Sequence, residues 1–428
     1  MNFTPWPRAI ILADMNAFFA SIEQLERPEW RGRPLAITNG LTGTCIITAS
    51  YEARAYGIKT GMRLKEARRL CPQLIQSSAR PQRYAAISSK IMSALEDITP
   101  DIEVFSVDEA FLDVTHCQRL LGPPEHIAEL TKRKIFETSN LLCSVGVSGD
   151  KTTAKYAAKL QKPDGLTVIP PWEAKTRLHD VAVTDLCGIN KGIGGFLAAR
   201  GVYTCGDMAS LPIGVLAKRF GNPGRRIWYM AQGADPAPLQ LNIPPPKSIG
   251  HGKVMPPNTR NPEIVKTFLL HMCEKVAARL RRHTMVAQRF FVGLRVNQGW
   301  IGDKPRSRFP TNDGQVIARL CWQVIYACWQ GQGVHQIQVT ALDPRPADGQ
   351  LELFVDDTHK RDASNAAMDR VNERYGEFTL APARLLQRST MPNVIAPAWK
   401  PFGHRQTIQG SETDTLPECK PSISDEEI

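Results

Sequence analysis

An apolar run, Ala9-Ile-Ile-Leu-Ala, ends in the carboxylate of Asp14, and a second, Val104-Phe-Ser-Val-Asp-Glu-Ala-Phe-Leu, is interrupted by Asp108 and Glu109. Nothing else in the sequence restricts the fold so tightly. Both runs have the composition of buried strands. An ionised carboxylate removed from water costs several kcal/mol unless something neutralises it. A divalent cation does so, and Mg²⁺, a hard ion, takes carboxylate oxygen. Neighbouring strand residues point to opposite faces, so Asp108 and Glu109 can serve one ion cluster only at a bend or an edge. On the pair alone, a surface or capping role is the commoner fate of a strand Asp-Glu.

The rest of the first 160 residues alternates strands and helices. A helix-like stretch follows the first strand through Glu26, and Thr44–Ser50 and Glu103–Val114 read as strands. Gln82–Leu95 and Pro124–Ser139 read as helices, Leu142–Val147 as a short strand, and Lys151–Leu160 as a helix opened by a Gly-Asp turn. No GxGxxG or GxxxxGK[ST] loop is present, which argues against a dinucleotide fold and a P-loop. Tyr51 and Arg54 in Tyr-Glu-Ala-Arg lie three apart, so a helical turn sets hydroxyl and guanidinium on one side. Alone, such a segment is more often an exposed helix face. Lys151, Lys155, Lys159 and Lys162 form a stripe whose plain reading, a solvated basic face, is the expectation for Lys151 and Lys155.

At 428 residues, the chain is long enough for two to four domains with cores of their own. Its 42% hydrophobic and 22% charged content exclude wholesale disorder. No run approaches the ~20 apolar residues of a membrane span, and Asp14 inside the N-terminal apolar run argues against a secretory signal. Ten dispersed cysteines without a CxxC pair read as reduced thiols of a cytoplasmic protein. The net charge of +11 is uneven: residues 248–346 hold fourteen Lys and Arg against five acids. From Ser411 on, six acids and one Lys read as an acidic, disordered end. The proline runs Asn242-Ile-Pro-Pro-Pro-Lys-Ser and Asp343-Pro-Arg-Pro-Ala-Asp-Gly read as linkers.

Four segments fall in a telling order: Asp14-Met-Asn-Ala-Phe-Phe-Ala-Ser-Ile-Glu23, Tyr51-Glu-Ala-Arg54, Ser106-Val-Asp-Glu-Ala-Phe111 and Lys162-Pro-Asp-Gly165. Together they strongly resemble the Y-family translesion DNA polymerases, most closely the DinB type, from about Ala9 through Leu353. The resemblance implies an α+β multidomain right-hand polymerase: a ferredoxin-like palm (1–20 and 79–182), small fingers (21–78), a helical thumb (183–241), a linker (242–247), an α/β little finger (248–346) and a tail (347–428). It implies two Mg²⁺ ions held by Asp14, Asp108, Glu109 and the backbone carbonyl of Met15. Asn16 stands where the motif more often has a second Asp, a position outside the usual ligands.

The same resemblance assigns the nucleotide pocket. Tyr51, Arg54 and Lys162 match the residues that reach the incoming triphosphate, Phe19 matches the steric gate against a ribose 2′-hydroxyl, and Phe18 beside it reads as core or pocket. Fingers with few bulky residues around Thr42–Thr48 imply an open pocket, hence lesion bypass and low fidelity. Leu186-Cys-Gly-Ile-Asn-Lys-Gly-Ile-Gly-Gly-Phe-Leu resembles the thumb helix-hairpin-helix that binds a DNA phosphate through Gly188, Asn190 and Gly192, with Asn190 where glycine is usual. Asn tolerates the left-handed backbone that such a turn would ask of it. Arg279, Arg281, Arg282, Arg289 and Arg295 cluster on a helix-to-strand transition of the little finger, and Arg279, Arg282, Arg289 and Arg295 are the expected contacts to DNA.

Gln350-Leu351-Glu-Leu353-Phe354 resembles the peptide that bacterial polymerases insert into the sliding clamp. Ala366–Phe378 reads as an amphipathic helix with an extended end, similar to UmuC-type tails. The implied protein is a cytoplasmic, monomeric, non-proofreading DNA polymerase of the DNA-damage (SOS) response and mutagenesis, acting on primer-template DNA and deoxynucleoside triphosphates. Two other readings are a catalytically silent polymerase-like accessory subunit binding DNA and the clamp, and a nucleotide cyclase on a similar palm. The intact Asp14, Asp108 and Glu109 disfavour the first; the hairpin and the basic third disfavour the second.

Overall fold

The structure is a computed structural model and describes residues 4–41, 45–347, 358–389, 393–396 and 398–408. The chain divides into two compact units, Met1–Ile243 with the residues from Met391 on, and Pro244–Thr390. The division falls inside the first proline run. Among the described residues no helix is long and apolar enough to cross a membrane.

The first unit begins with β1 (Ile10–Met15), buried on both faces, and α1 (Phe18–Glu26). Next come β2 (Leu35–Thr38), β3 (Ile46–Ala49), α2 (Tyr51–Ala55), α3 (Leu64–Leu70) and β4 (Ile75–Ser78). Their sheet, ordered β3-β2-β4, has a small core that includes Ala36, Ile46, Ala53 and Leu64. Phe18, Ala20 and Ile22 of α1 join the main core instead, so the expected fingers boundary at 21 falls inside a helix.

The main sheet is built from β1, β5 (Ile102–Val104), β6 (Glu109–Asp113), β7 (Cys143–Ser148) and β8 (Leu166–Val168) in the order β5-β6-β1-β7-β8. Between them run α4 (Pro81–Leu95), α5 (Gln118–Leu121), α6 (Pro124–Ser139) and α7 (Lys151–Leu160). The alternation of β1 sends Ile11, Ala13 and Met15 to the main core, and Ile10 and Leu12 to a cluster with Ala154 and Ala158 of α7. The even-numbered face of β1, with Asp14, is therefore the α7 face. The single strand expected over Glu103–Val114 is a hairpin: β5 and β6 pair antiparallel, and Glu109 O closes the turn by accepting the N–H groups of Phe105 and Ser106.

Helices α8 (Ala174–Leu178), α9 (Lys191–Ala198), α10 (Cys205–Met208), α11 (Ile213–Phe220) and α12 (Asn222–Ala231) surround a separate cluster that includes Leu186, Leu197, Leu216 and Met230. Asp235 ties this subdomain to α7: its buried carboxylate accepts two hydrogen bonds from Arg226 (2.8 Å each) and one from Thr152 Oγ1 (2.7 Å).

The second unit contains β9 (Ile249–Thr259), α13 (Pro262–Arg282), β10 (Met285–Val296), β11 (Gly299–Asp303), β12 (Arg306–Thr311), α14 (Gly314–Cys328) and β13 (Val334–Ala341). The sheet order is β11-β10-β13-β9, with β12 also on β10. Helices α13 and α14 cover the face carrying Phe290, Val292, Leu294, Ile337 and Val339. Helix α15 (Thr358–Tyr375) packs on the same unit through Arg281–Asp369 and Arg361–Asp313 ion pairs. The chain past Tyr375 is not extended: Glu377 pairs with Lys275, Phe378 meets the His271 ring edge-on, and a 3₁₀ turn spans Ala383–Gln387.

The stretch 347–428 thus does not behave as one tail. Its later part packs in the first unit, where Trp399 is wholly buried, its indole N–H donates to Ile408 O (3.0 Å), and Lys400 Nζ donates to Val104 O (2.6 Å). The clamp-like peptide 350–354 and the acidic end from Ser411 lie outside the described residues. Five of the nine described cysteines are buried, and all nine are free thiols.

Helix α7 lies so close to β7 that a Cβ on Gly146 would come within 2.1 Å of Ala154 O and 2.3 Å of Ala158 N. Both are backbone atoms, so the helix itself would have to move. Gly146→Ala is expected to cost about 3 kcal/mol and to lower the thermal melting midpoint of the first unit, whereas Gly195→Ala, inside α9 with open space at its Cβ, is expected to hold or raise it.

Candidate active site

The β1–β6 ladder places Asp14 directly opposite Glu109. Two carboxylates side by side on one sheet face repel each other, and the ladder holds them there. Asp108 sits in the bend just before β6, where its carbonyl accepts the Met15 N–H (2.9 Å). That bend meets the geometric demand on adjacent acids. Ser106 Oγ is 2.6 Å from Asp108 Oδ1 and 3.2 Å from Glu109 Oε2, so one hydroxyl spans both acids.

Two lysines reach the same acids. Lys162 Nζ is 2.5 Å from Asp14 Oδ2, and Lys155 on α7 is ion-paired with Glu109. Burial pushes the Asp14 carboxyl up to about 7, with Glu109 and Asp108 adding to the rise and Lys162 opposing it. Burial also raises Asp108, against the hydrogen bond from Ser106. Among the described residues no three His, Cys, Asp or Glu side chains converge as a ready ion cage. The donor set nevertheless fits a hard divalent cation. Three carboxylates lie on neighbouring strand ends, and at least one has its charge suppressed by burial and its neighbours.

Lys151 and Lys155 do not lie on a solvated face. Lys151 is 7% exposed and ion-paired with Glu103 (2.5 Å), which also accepts the Gln240 N–H (2.8 Å). Lys155 is committed to Glu109. A lysine ammonium is buried here only because an acid from another strand meets it. Neither pairing is visible in helical spacing, although Ser106 lies inside the quoted Ser-Val-Asp-Glu motif and Lys155 two turns before Lys162.

Tyr51 and Arg54 do share a side: the guanidinium carbon lies 4.9 Å from the Tyr51 ring centroid, and Arg54 Nε donates to Ala49 O (3.0 Å). The α2 start is fixed by Ser50, whose hydroxyl accepts the Ala53 N–H. Phe19 lies flat on Tyr84, with centroids 4.2 Å apart and planes 10° from parallel. Tyr84 is itself held by Glu23, which its hydroxyl reaches at 2.8 Å. Phe18, in contrast, is 2% exposed within the main core.

The hairpin residues differ from expectation. Gly188 has the left-handed backbone (φ 94°), while Asn190 is extended (φ −87°) and caps α9 by accepting the Gly192 and Ile193 N–H groups at 3.1 and 3.3 Å. Asn is preferred at a cap because its side-chain oxygen satisfies those orphan donors. In the second unit, Arg281 is enclosed by Asp369 in a two-point pair (2.6 and 2.8 Å), and Arg279 donates to Gly250 O (3.0 Å). Arg282 lies with them on α13, over the covered face of the sheet. Arg289 and Arg295 alternate with Phe290, Val292 and Leu294 on β10 and so occupy the opposite, open face. The five arginines therefore do not form one surface.

The ordinary carboxyl value for Asp14 is 3.8, so between there and about 7 the folded chain binds more protons than the unfolded one. Stability then falls as pH rises through that window. In metal-free buffer Asp14→Asn is expected to melt roughly 2–4 °C above the native chain at pH 8, a gain of about 1 kcal/mol. The two melting points should converge near pH 4; a pH-independent difference in thermal melts would refute the burial argument.

Residues 13–159 match the impB/mucB/samB family and residues 246–353 its C-terminal domain. The chain is 34% identical over 376 residues to DNA polymerase IV of Moorella thermoacetica, covering 86% of this chain and 94% of that one. It is 29% identical over 392 residues to DNA polymerase IV 2 of Bacillus subtilis strain 168, covering 89% and 95%. A solved Y-family DNA polymerase chimera superposes with a TM-score of 0.68 at 27% identity, over 78% of this chain and 98% of that one. The chain belongs to the impB/mucB/samB family of Y-family DNA polymerases and, within it, to the DinB type.

Proposed function

We propose that the chain extends a primer 3′-hydroxyl with deoxynucleotides on a template strand, with low fidelity and no proofreading, and continues past lesions. As a Y-family member it is a DNA-directed DNA polymerase of translesion synthesis and DNA repair, acting on DNA and nucleotides and dependent on a divalent metal. The observation that carries the finer reading is the pairing of Asp14 with Glu109 beside Asp108, with Lys162 on the same acids. In this reading residues 1–20 and 79–182 act as palm, 21–78 as fingers, 183–241 as thumb and 248–346 as little finger.

Asp14, Asp108 and Glu109, with the Met15 carbonyl, would hold two Mg²⁺ ions, which when bound supply Lewis acidity to the 3′-hydroxyl and charge stabilisation to the departing pyrophosphate. Ser106 holds the Asp108 and Glu109 carboxylates in register. Lys162 and Arg54 bind phosphate oxygens, the latter by its planar fork, and Tyr51 donates its hydroxyl to them. Phe19, stacked on Tyr84, sets a flat wall where a ribose 2′-hydroxyl would project. Because Asn190 already occupies two hairpin amides, phosphate contact at the thumb rests on the remaining donors of that turn. Gln350–Phe354 is assigned to a bacterial sliding clamp on its motif alone, and the polymerase is assigned as a monomer.

Primer extension on undamaged and abasic templates tests the activity. The native chain is expected to extend both with Mg²⁺, Asp108→Ala to lose at least about 10³-fold in rate, and Phe19→Ala to accept ribonucleotides. No metal-dependent extension by the native chain would end the proposal. DNA binding is assigned to the open face of the second unit's sheet, which carries Arg289 and Arg295. Raising salt from 50 to 200 mM should weaken binding about 10³-fold for about six neutralised phosphates. Arg289→Ala and Arg295→Ala should each flatten the log–log salt slope by about one unit, and Arg281→Ala should not.

A further inference from the structure

We infer that Asn16 is a positioning residue that sets the hydroxyl of Tyr51 and the loop carrying Lys162 for the triphosphate. The inference rests on the reading of Tyr51 and Lys162 given above and adds to it a residue that touches neither metal nor nucleotide.

Asn16 is 4% exposed, and every polar atom of its side chain is engaged. Its Oδ1 accepts the Asp164 N–H at 2.8 Å. A backbone N–H can only donate, so this bond fixes which end of the amide faces the loop. The other end, Nδ2, therefore faces Ser144 Oγ at 2.9 Å and the Tyr51 hydroxyl at 3.4 Å. One side chain thus spans three separate segments: the loop between α7 and β8, strand β7, and the first residue of α2. The main chain of Asn16 is equally fixed, its N–H donating to Leu142 O (2.9 Å) and its carbonyl accepting from Ser21 Oγ (2.6 Å). The next residue, Ala17, has a left-handed backbone (φ 44°, ψ 44°), disfavoured for alanine and tolerated where its surroundings fix it.

The chemistry of the amide matters as much as its place. An ionised aspartate has acceptors only. It could take the Asp164 N–H and the Ser144 hydroxyl, but Tyr51 could meet it only by turning its single proton inward. The amide donates instead, so the Tyr51 oxygen accepts and its own proton stays free for a phosphate oxygen. On the loop side, Lys132 Nζ grips Asp164 Oδ1 at 2.7 Å, so Asn16 and Lys132 hold the two ends of the residue just past Lys162-Pro163.

Single-nucleotide incorporation by the full chain tests this. Tyr51→Phe is expected to raise KM for the deoxynucleotide about tenfold, the loss of one hydrogen bond to a charged partner, with kcat within about twofold. Asn16→Asp and Asn16→Ala should each raise KM by roughly fivefold, and the alanine variant, which adds no charge, should leave the Mg²⁺ half-saturation unchanged. In the Tyr51→Phe background either change should add about twofold rather than fivefold, because the proton it orients is gone and only its hold on the Lys162 loop is left. If the Asn16 and Tyr51 effects multiply in full, or if Asn16→Ala lowers kcat at saturating nucleotide with KM unmoved, the positioning role is overturned while the pocket stands. If Tyr51→Phe leaves KM unchanged, the pocket reading fails and this inference with it.

Discussion

The repulsion between Asp14 and Glu109 is the interaction around which the first unit is arranged. The two carboxylates are fixed opposite each other by the β1–β6 ladder, and Asp108 is turned toward them by the bend at 106–108. Left uncompensated, three acids on neighbouring strand ends would oppose folding. Compensation comes from Lys155 on α7 and Lys162 just past its end. The placement of α7 is therefore an electrostatic requirement as well as a packing one. It is met by the glycine contact at Gly146, by the Asp150 cap that accepts the Thr153 N–H at 2.9 Å, and by the Thr152–Asp235 bond.

This arrangement separates two jobs that one residue could not do. In the proposed reading the acids gather negative charge for a cation, whereas Tyr51, Arg54 and Lys162 present protons to a phosphate. A neutral amide at position 16 stands between the groups, and it can donate and accept at once. Placing a further carboxylate there would extend the acidic cluster toward the donors.

Helices were the most legible part of the chain. Pro124–Ser139 and Lys151–Leu160 appear with the boundaries read from sequence, because Pro124 at the first turn and Asp150 at the cap are local signals that need no tertiary context. The carboxylate triad was legible through its motifs. The strand read across Glu103–Val114 was not, because the hairpin turns at Phe105-Ser-Val-Asp without glycine or proline to mark it. Lys151 and Lys155 were misread for a different reason. Their partners Glu103 and Glu109 lie 48 and 46 residues away in sequence, so burial by ion pairing leaves no trace in helical spacing. Asn190 was assigned a backbone conformation when its side chain was the functional part; the choice depends on whether a helix begins there.

Charge counting shows the same limit. The net +9 of residues 248–346 counts ammonium and guanidinium groups alike, yet burial and pairing divide them. Arg281 is enclosed by Asp369, and Lys275 is 7% exposed beside Glu377. These cations hold α15 and the turn after it against α13. Arg289 and Arg295 lie exposed on the opposite side of the sheet, two residues either side of Phe291 and Gly293, and Arg289 also meets Asp343 at 3.7 Å. The basic excess was a sound indication that the partner is an anion. Which third of it is available depended on where the helices lie.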